Sequence, residues 1–325
     1  MNKRMRANLM LLLTALIWGV AFVAQDVAAD AVEPLTFNGL RMSLAALAML
    51  PTVWLMDRRA ARNGGTTWKK MSAKDRRVLF LGGACCGVML ALGSAFQQMG
   101  ISAGTGAGKA GFITALYIVL VPLMGLFFRR RVGWLVWAAV VLSAAGLYFL
   151  CMQGSFAIDP GDGLLMLCAL SYTGHILVVD HFSVRTDCVK MSCIQFAVTA
   201  LLCLLGAVLT ETPDWNAILS CALPIAYAGV MSGAMGYTFQ ILAQRDAEPT
   251  VASLLMSLES VFAALAGWVI LGDMLSPREL LGCLLMMGGI VLAQLPENLL
   301  LKIAPKSAII HMGDLSHPRD HAKGD

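Results

Sequence analysis

Long apolar stretches alternate with short polar ones along the chain, and the apolar stretches have the length of bilayer crossings. They can be marked at 7–29, 35–56, 78–99, 107–128, 132–152, 160–182, 189–210, 218–243, 250–271 and 277–296. At 1.5 Å per residue, about twenty helical residues cross a hydrocarbon core of roughly 30 Å. The pattern predicts an all-α polytopic membrane protein of ten transmembrane helices. Two longer polar segments stand outside it, the loop 57–77 and the tail 297–325.

Composition agrees with this reading: 58% of the residues are hydrophobic and 14% charged, a balance that a water-soluble core of this size does not need. The first run is long and is followed by a second span, so it reads as a retained helix and not as a cleaved signal. With the N-terminus inside, the inner segments hold 21 of the 24 Lys and Arg residues, including Lys3, Arg4, Arg6, eight in the 57–77 loop and Arg129 to Arg131. The outer segments carry Asp30, Glu33, Asp159, Asp162, Glu211, Asp214, Asp273 and Glu279 instead. Basic residues near span ends are held on the cytoplasmic side, which places both termini in the cytoplasm and the chain in the inner (cytoplasmic) membrane. The net charge of +4 is therefore a topology signal and predicts no nucleic-acid partner. The nine cysteines sit mostly inside apolar runs and read as small packing residues. His317 and His321 have a helical metal-ligand spacing, but Pro318 argues against a helix there, and the tail is expected to be solvated with no metal or cofactor.

A shift of 142 residues lays 78–152 on 220–294 without a gap, equating Gly87 with Gly229, Gln98 with Gln240, Leu116 with Leu258 and Gly146 with Gly288. A weaker shift of 154 equates Trp18 with Tyr172. Five spans per copy is an odd number, so the second copy enters the membrane inverted. The predicted organisation is a first five-helix repeat at 1–153, an inverted one at 154–296, and a polar cytoplasmic tail at 297–325. Inverted repeats are a common build of secondary transporters, with a substrate site near mid-depth. Under the 142 shift Glu259 falls on Tyr117, both near the centres of their spans.

Polar groups inside the spans are the candidates for function. Glu259 stands in the middle of the ninth span, where an acidic side chain costs roughly 3 kcal/mol and usually faces a bundle interior or a wet cavity. It could titrate during transport, bind a cationic group, or make a fixed internal pair. Tyr117 could bond substrate or Glu259, or simply pack. Lys109, near the outer end of the fourth span, could meet an anionic group in a cavity or snorkel to headgroups. Lys109 and Glu259 together would suit the two ends of a zwitterion, which favours an amino acid. Arg41 is expected in a structural ion pair with Asp26, Asp30 or Glu33, with substrate contact as the other reading. Trp18 and Tyr172 occupy equated positions, and His175 lies one turn beyond Tyr172. Gln98, Gln240 and Tyr237 could line a cavity or bond neighbouring helices. The chain has no Walker A, HExxH or GxSxG pattern, so it is not expected to be an enzyme, and protons or a counter-substrate would have to drive any active transport.

The ordered set Trp18-Gly19, Pro34 with Arg41, the run Lys109 to Tyr117 (KAGFITALY) with Val121-Pro122, the run Ser257 to Val261 (SLESV) and Leu271-Gly272-Asp273 resembles the ten-span EamA-type members of the drug/metabolite transporter superfamily over residues 7–296. The resemblance implies two five-span repeats around a cavity lined by spans one, three, four, six, eight and nine. It implies small metabolites such as amino acids or nucleobases, often exported. The family pattern has Pro after the ninth-span Glu and ends in Gly-Glu, whereas this chain has Ser260 and Asp273, and Ser260 implies a straighter helix. The expected activity is secondary transport of a small polar or amphipathic metabolite by alternating access, as export coupled to protons or to exchange. Transport of nucleobases or drugs, and a non-transporting scaffold or sensor, are the alternatives. Substrate identity and oligomeric state are not readable from the residues.

Overall fold

The computed structural model describes residues 2–105, 107–128, 132–152, 160–271 and 274–295, and all regular structure among them is helical. Arg129 to Arg131, Asp159, Asp273 and the histidines of the tail lie outside the described residues. The helices are α1 (Lys3–Ala29), α2 (Pro34–Arg62), α3 (Ala73–Ser102), α4 (Ala107–Ala115), α5 (Tyr117–Phe127), α6 (Trp134–Cys151), α7 (Asp162–Ser183) and α8 (Cys188–Thr210). They continue with α9 (Trp215–Ser220), α10 (Ala222–Ala226), α11 (Thr238–Gln244), α12 (Pro249–Met256), α13 (Glu259–Leu271) and α14 (Pro277–Gln294).

Eight helices, counting α4–α5 and α12–α13 each as one, are long and apolar enough to cross a membrane. The two other expected crossings differ. The polar first turn of α14, with Arg278 and Glu279, shortens its apolar part, and a capping box between Ser276 and Glu279 starts it. The stretch 218–243 is not one regular helix: α10 and α11 flank a π-helical segment, Tyr227–Tyr237. Two backbone carbonyls of this segment also accept from side chains of α1. Trp18 Nε1 donates to Ser232 O (3.2 Å) and Thr14 Oγ1 to Gly236 O (3.2 Å).

The chain passes back and forth, and its most extensive helix pairings join residues 3–152 to residues 162–294. These pairs are α6 with α14, α2 with α8, α3 with α7 and α8, and α1 with α13. Small residues permit the closest of them. A Cβ on Gly282 would meet Leu150 N at 2.5 Å and Gly146 O at 2.6 Å, and one on Gly19 would meet Phe262 Cβ at 2.5 Å and Glu259 O at 2.8 Å. Backbones that approach this closely gain dispersion contacts, which replace the hydrophobic drive that lipid cannot supply.

Polar contacts fasten both ends. At the end where α2 begins, the Glu211 carboxylate accepts from Leu35 N, Thr36 N and Thr36 Oγ1, each at 2.7 Å, and so caps α2 from the end of α8. Glu33 Oε2 returns the contact by accepting from Thr212 N at 2.8 Å. At the other end the buried Lys190 Nζ reaches Asp57 Oδ1 at 2.7 Å, and Asp57 also accepts from Trp68 N.

Gly282→Ala is expected to destabilise the detergent-solubilised protein by about 1–3 kcal/mol, because the methyl group meets only backbone. Gly163→Ala, with nothing within 4 Å of its Cβ, is expected to be neutral or slightly stabilising. Equal melting temperatures for the two variants would refute the α6–α14 seam.

Candidate functional site

The centre of the molecule is built by two interrupted helices. On the fourth crossing, Leu116 sits in a turn between α4 and α5, with Leu116 N bonded back three residues to Ile113 O and Val119 N to Leu116 O. Pro122, lacking an N–H, removes the α-helical bond to Ile118 O one turn later. On the ninth crossing, Ser257 and Leu258 form the equivalent turn, with Leu258 N on Leu255 O and Ser260 N on Ser257 O. Here no proline is needed. Ser253 Oγ and Ser257 Oγ each return a bond to the carbonyl three residues before, a competition known to bend helices. The straighter helix that Ser260 implied is thus not what forms.

The two turns stand at positions equated by the 142-residue shift, and the side chains that follow them touch. Tyr117 Oη donates to Glu259 Oε1 at 2.9 Å. Glu259 is 5% exposed, and its backbone carbonyl lies against α1, where Gly19 leaves no room for a side chain.

Around this pair lies a small chamber with a cavity volume of about 40 Å³. That is room for roughly three waters. Its walls include Trp18, Phe22 and Gln25 of α1, Gln97 of α3, Tyr117, Tyr172 and His175, Ser232, Tyr237 and Gln240, Met256 and Glu259. The rings of Trp18 and Tyr237 lie 4.6 Å apart, and His175 meets Tyr237 edge-on at 5.8 Å. Tyr172 Oη donates to Gln97 Oε1 (3.4 Å), and Gln97 Nε2 in turn to Thr114 Oγ1 (3.5 Å). A wider hollow of about 340 Å³ lies among Val121, Gly125, Leu177, Glu248 and Thr250. It begins one turn along α5 from Tyr117, toward the end that carries Lys190.

A family model described as the EamA-like transporter family matches the chain twice, over residues 5–152 and 159–295. The chain belongs to the EamA-like transporter family. It is similar to an "uncharacterized transporter" of Archaeoglobus fulgidus, 30% identical over 301 residues that cover 90% of this chain and 87% of the relative. It is also similar to the "uncharacterized transporter YwfM" of Bacillus subtilis, 28% identical over 298 residues, 87% of this chain and 92% of the relative. A solved structure titled "Crystal structure of protein" superposes with a TM-score of 0.71 at 18% identity, covering 89% of this chain and 96% of that one, which speaks to the fold alone. The protein is accordingly a multi-pass membrane transporter of the drug/metabolite superfamily, with the lipid bilayer and a small-molecule substrate as its partners.

Within this EamA-type transporter, eight of the residues singled out from sequence line the chamber: Trp18, Arg41, Tyr117, Tyr172, His175, Tyr237, Gln240 and Glu259. Two do not. Lys109 is engaged at the periphery, its Nζ 2.7 Å from Asp162 Oδ2, so it does not form the positive pole opposite Glu259 that a zwitterion would require. Gln98 packs away from the chamber, donating to Gln25 O at 3.3 Å, and its neighbour Gln97 takes the inward position one helical step round. The signal for Gln97 was Gly93, one turn earlier, whose missing side chain makes space for the Tyr172 ring. Arg41 departs furthest from expectation. Among the described residues it has no carboxylate within ion-pair distance: its Nε donates to Asn38 Oδ1 at 2.8 Å, and it lines the chamber from α2.

Removing the hydroxyl in Tyr117→Phe is expected to cost about 0.5–3 kcal/mol in thermal unfolding, the range from a neutral to a charged acceptor. In a cycle with Glu259→Gln the two effects are expected to be non-additive by at least about 1 kcal/mol; additivity would mean that the bond contributes nothing.

Proposed function

We propose that this transporter is a secondary carrier that moves a small polar or amphipathic metabolite through the central chamber by alternating access, with Glu259 as the group that couples movement to protons. The observation that carries this reading is the hydrogen bond between Tyr117 and Glu259. Residues at equated positions of two inverted copies meet each other only at the pseudo-two-fold axis, and that axis lies at mid-membrane. The matching turns at Leu116 and at Ser257–Leu258, and helix pairings that mostly join the two halves, support the same organisation: two inverted five-helix repeats at 1–153 and 154–296, ten crossings, and both termini cytoplasmic.

The mechanism follows from what the chamber contains. Tyr117 donates to a carboxyl oxygen of Glu259, and a proton or a substrate ammonium arriving there competes for the same oxygens. Release of Tyr117 uncouples the two turns, and each is a natural pivot because its helix is already interrupted there. The small chamber with the wider hollow between α5, α7 and α12 on one side of it supports access from the cytoplasmic end, as export requires. Aromatic walls with a few amides suit a ligand with both apolar and polar parts.

In proteoliposomes Glu259→Gln is expected to abolish gradient-driven uptake and to make the remaining exchange flux insensitive to pH. Uptake in the variant that still follows the proton gradient would sink the coupling role, and a protein that moves no metabolite in counterflow would sink the carrier reading as a whole.

A further inference from the structure

Among the described residues, the chamber carries one positive group with no carboxylate within ion-pair distance. Arg41 is 2% exposed, seven residues into α2 and so about 10 Å below the start of that helix. Its guanidinium carries its charge in any protein environment. Burying such a charge without a counterion is costly, and a membrane core offers no water to offset it. Its Nη2 is buried without a hydrogen-bond partner, and among the described residues that line the chamber this is the donor left unsatisfied.

The group is held in place and not merely enclosed. Asn38 Nδ2 donates to Pro34 O (2.9 Å) and to Ser94 O (3.0 Å), which fixes the amide so that Oδ1 faces Arg41 Nε. The guanidinium carbon lies 5.4 Å from the centre of the Phe37 ring. A planar fork fixed at Nε by an amide, and backed by a ring, presents its remaining N–H groups in the geometry that matches a carboxylate.

Resting on the carrier reading of this chamber, we infer that Arg41 is the anchor for the carboxylate of the transported molecule, so that the substrate class is a small organic monocarboxylate. Among the described residues of the chamber wall the charged groups are Arg41 and Glu259, which cancel, so a carboxylate ligand that carries an ammonium of its own keeps the wall neutral, whereas a phosphate dianion would leave it strongly negative. The acceptors left without donors on the same wall, Gln25 Oε1 and Gln240 Oε1, suit an N–H-bearing group on the same ligand. Together these features describe an α-amino acid, recognised by Arg41 in the place where Lys109 was expected. Nucleobases and purely cationic drugs would leave the guanidinium unpaired.

The test is ligand-induced thermal stabilisation and equilibrium binding with the full-length protein in detergent. The probes are the common α-amino acids, each with its carboxamide, its decarboxylated amine and its deaminated acid, together with inorganic phosphate and chloride. At least one carboxylate is expected to bind wild type about tenfold or more tightly than its carboxamide. Arg41→Gln is expected to erase that preference while leaving the carboxamide's affinity unchanged. Arg41→Lys, which keeps the charge but loses the fork, is expected to reduce the preference in part and serves should the glutamine variant not fold. Carboxamides that bind as tightly as carboxylates to wild type, an undiminished preference in either variant, an equal loss for both ligand types, stabilisation by phosphate or chloride alone, or no stabilisation by any carboxylate would each overturn the assignment. Because binding is read without a gradient, Arg41-dependent binding without flux would refute the carrier reading alone, and flux with Arg41-independent binding would refute the anchor alone.

Discussion

A carboxylate in the middle of a membrane helix is tolerated only where the protein supplies what water would have supplied, and the arrangement around Glu259 is organised to do so. The Tyr117 hydroxyl takes one oxygen, α1 closes over the residue through Gly19, and the turn at Ser257–Leu258 delivers the side chain into the chamber instead of into lipid. Each of these parts sits on a different crossing. The bond ties α5 to α13, and Gly19 seats α1, which carries Trp18, against α13. An unmet carboxylate at that depth would cost more than any single packing contact in the bundle returns.

Much of this was legible in the residues. Span positions followed from apolar run lengths, because a bilayer imposes a single length on everything that crosses it. The meeting of Tyr117 with Glu259 was one of the pairings that the 142-residue shift allowed, since that shift equates their positions. What the residues concealed is mostly register within a helix. Gln97 and Gln98 differ by one helical step, and only the packing of Gly93 against Tyr172 decides which of them faces inward. The π-helical segment at Tyr227–Tyr237 left no mark in an apolar sequence, because its register is set by partners on α1 that are far away in the chain.

The two misplaced cations have a common cause. Sequence proximity put Asp26, Asp30 and Glu33 near Arg41, yet Glu33 is occupied by Thr212 N across the bundle, and Arg41 turns instead to Asn38 within its own helix. Lys109 looked free to enter the cavity, yet Asp162, 53 positions later, holds it at the periphery. In a bundle whose main contacts run between distant crossings, the nearest charge in sequence is a poor guide to the nearest charge in space. The result is a chamber whose positive pole comes from α2 and whose negative pole comes from α13.

The dominance of pairings between residues 3–152 and 162–294 also bears on biogenesis. The ribosome finishes the early crossings first, and at about 5–20 residues per second the later ones follow over roughly 7 to 30 s. During that interval Arg41, Gln97 and Tyr117 are in the bilayer without the helices that will cover them, and α6 waits for α14. The newborn chain therefore spends seconds with polar side chains facing lipid or insertion machinery, and that window, more than the finished bundle, is where misassembly of this protein would begin.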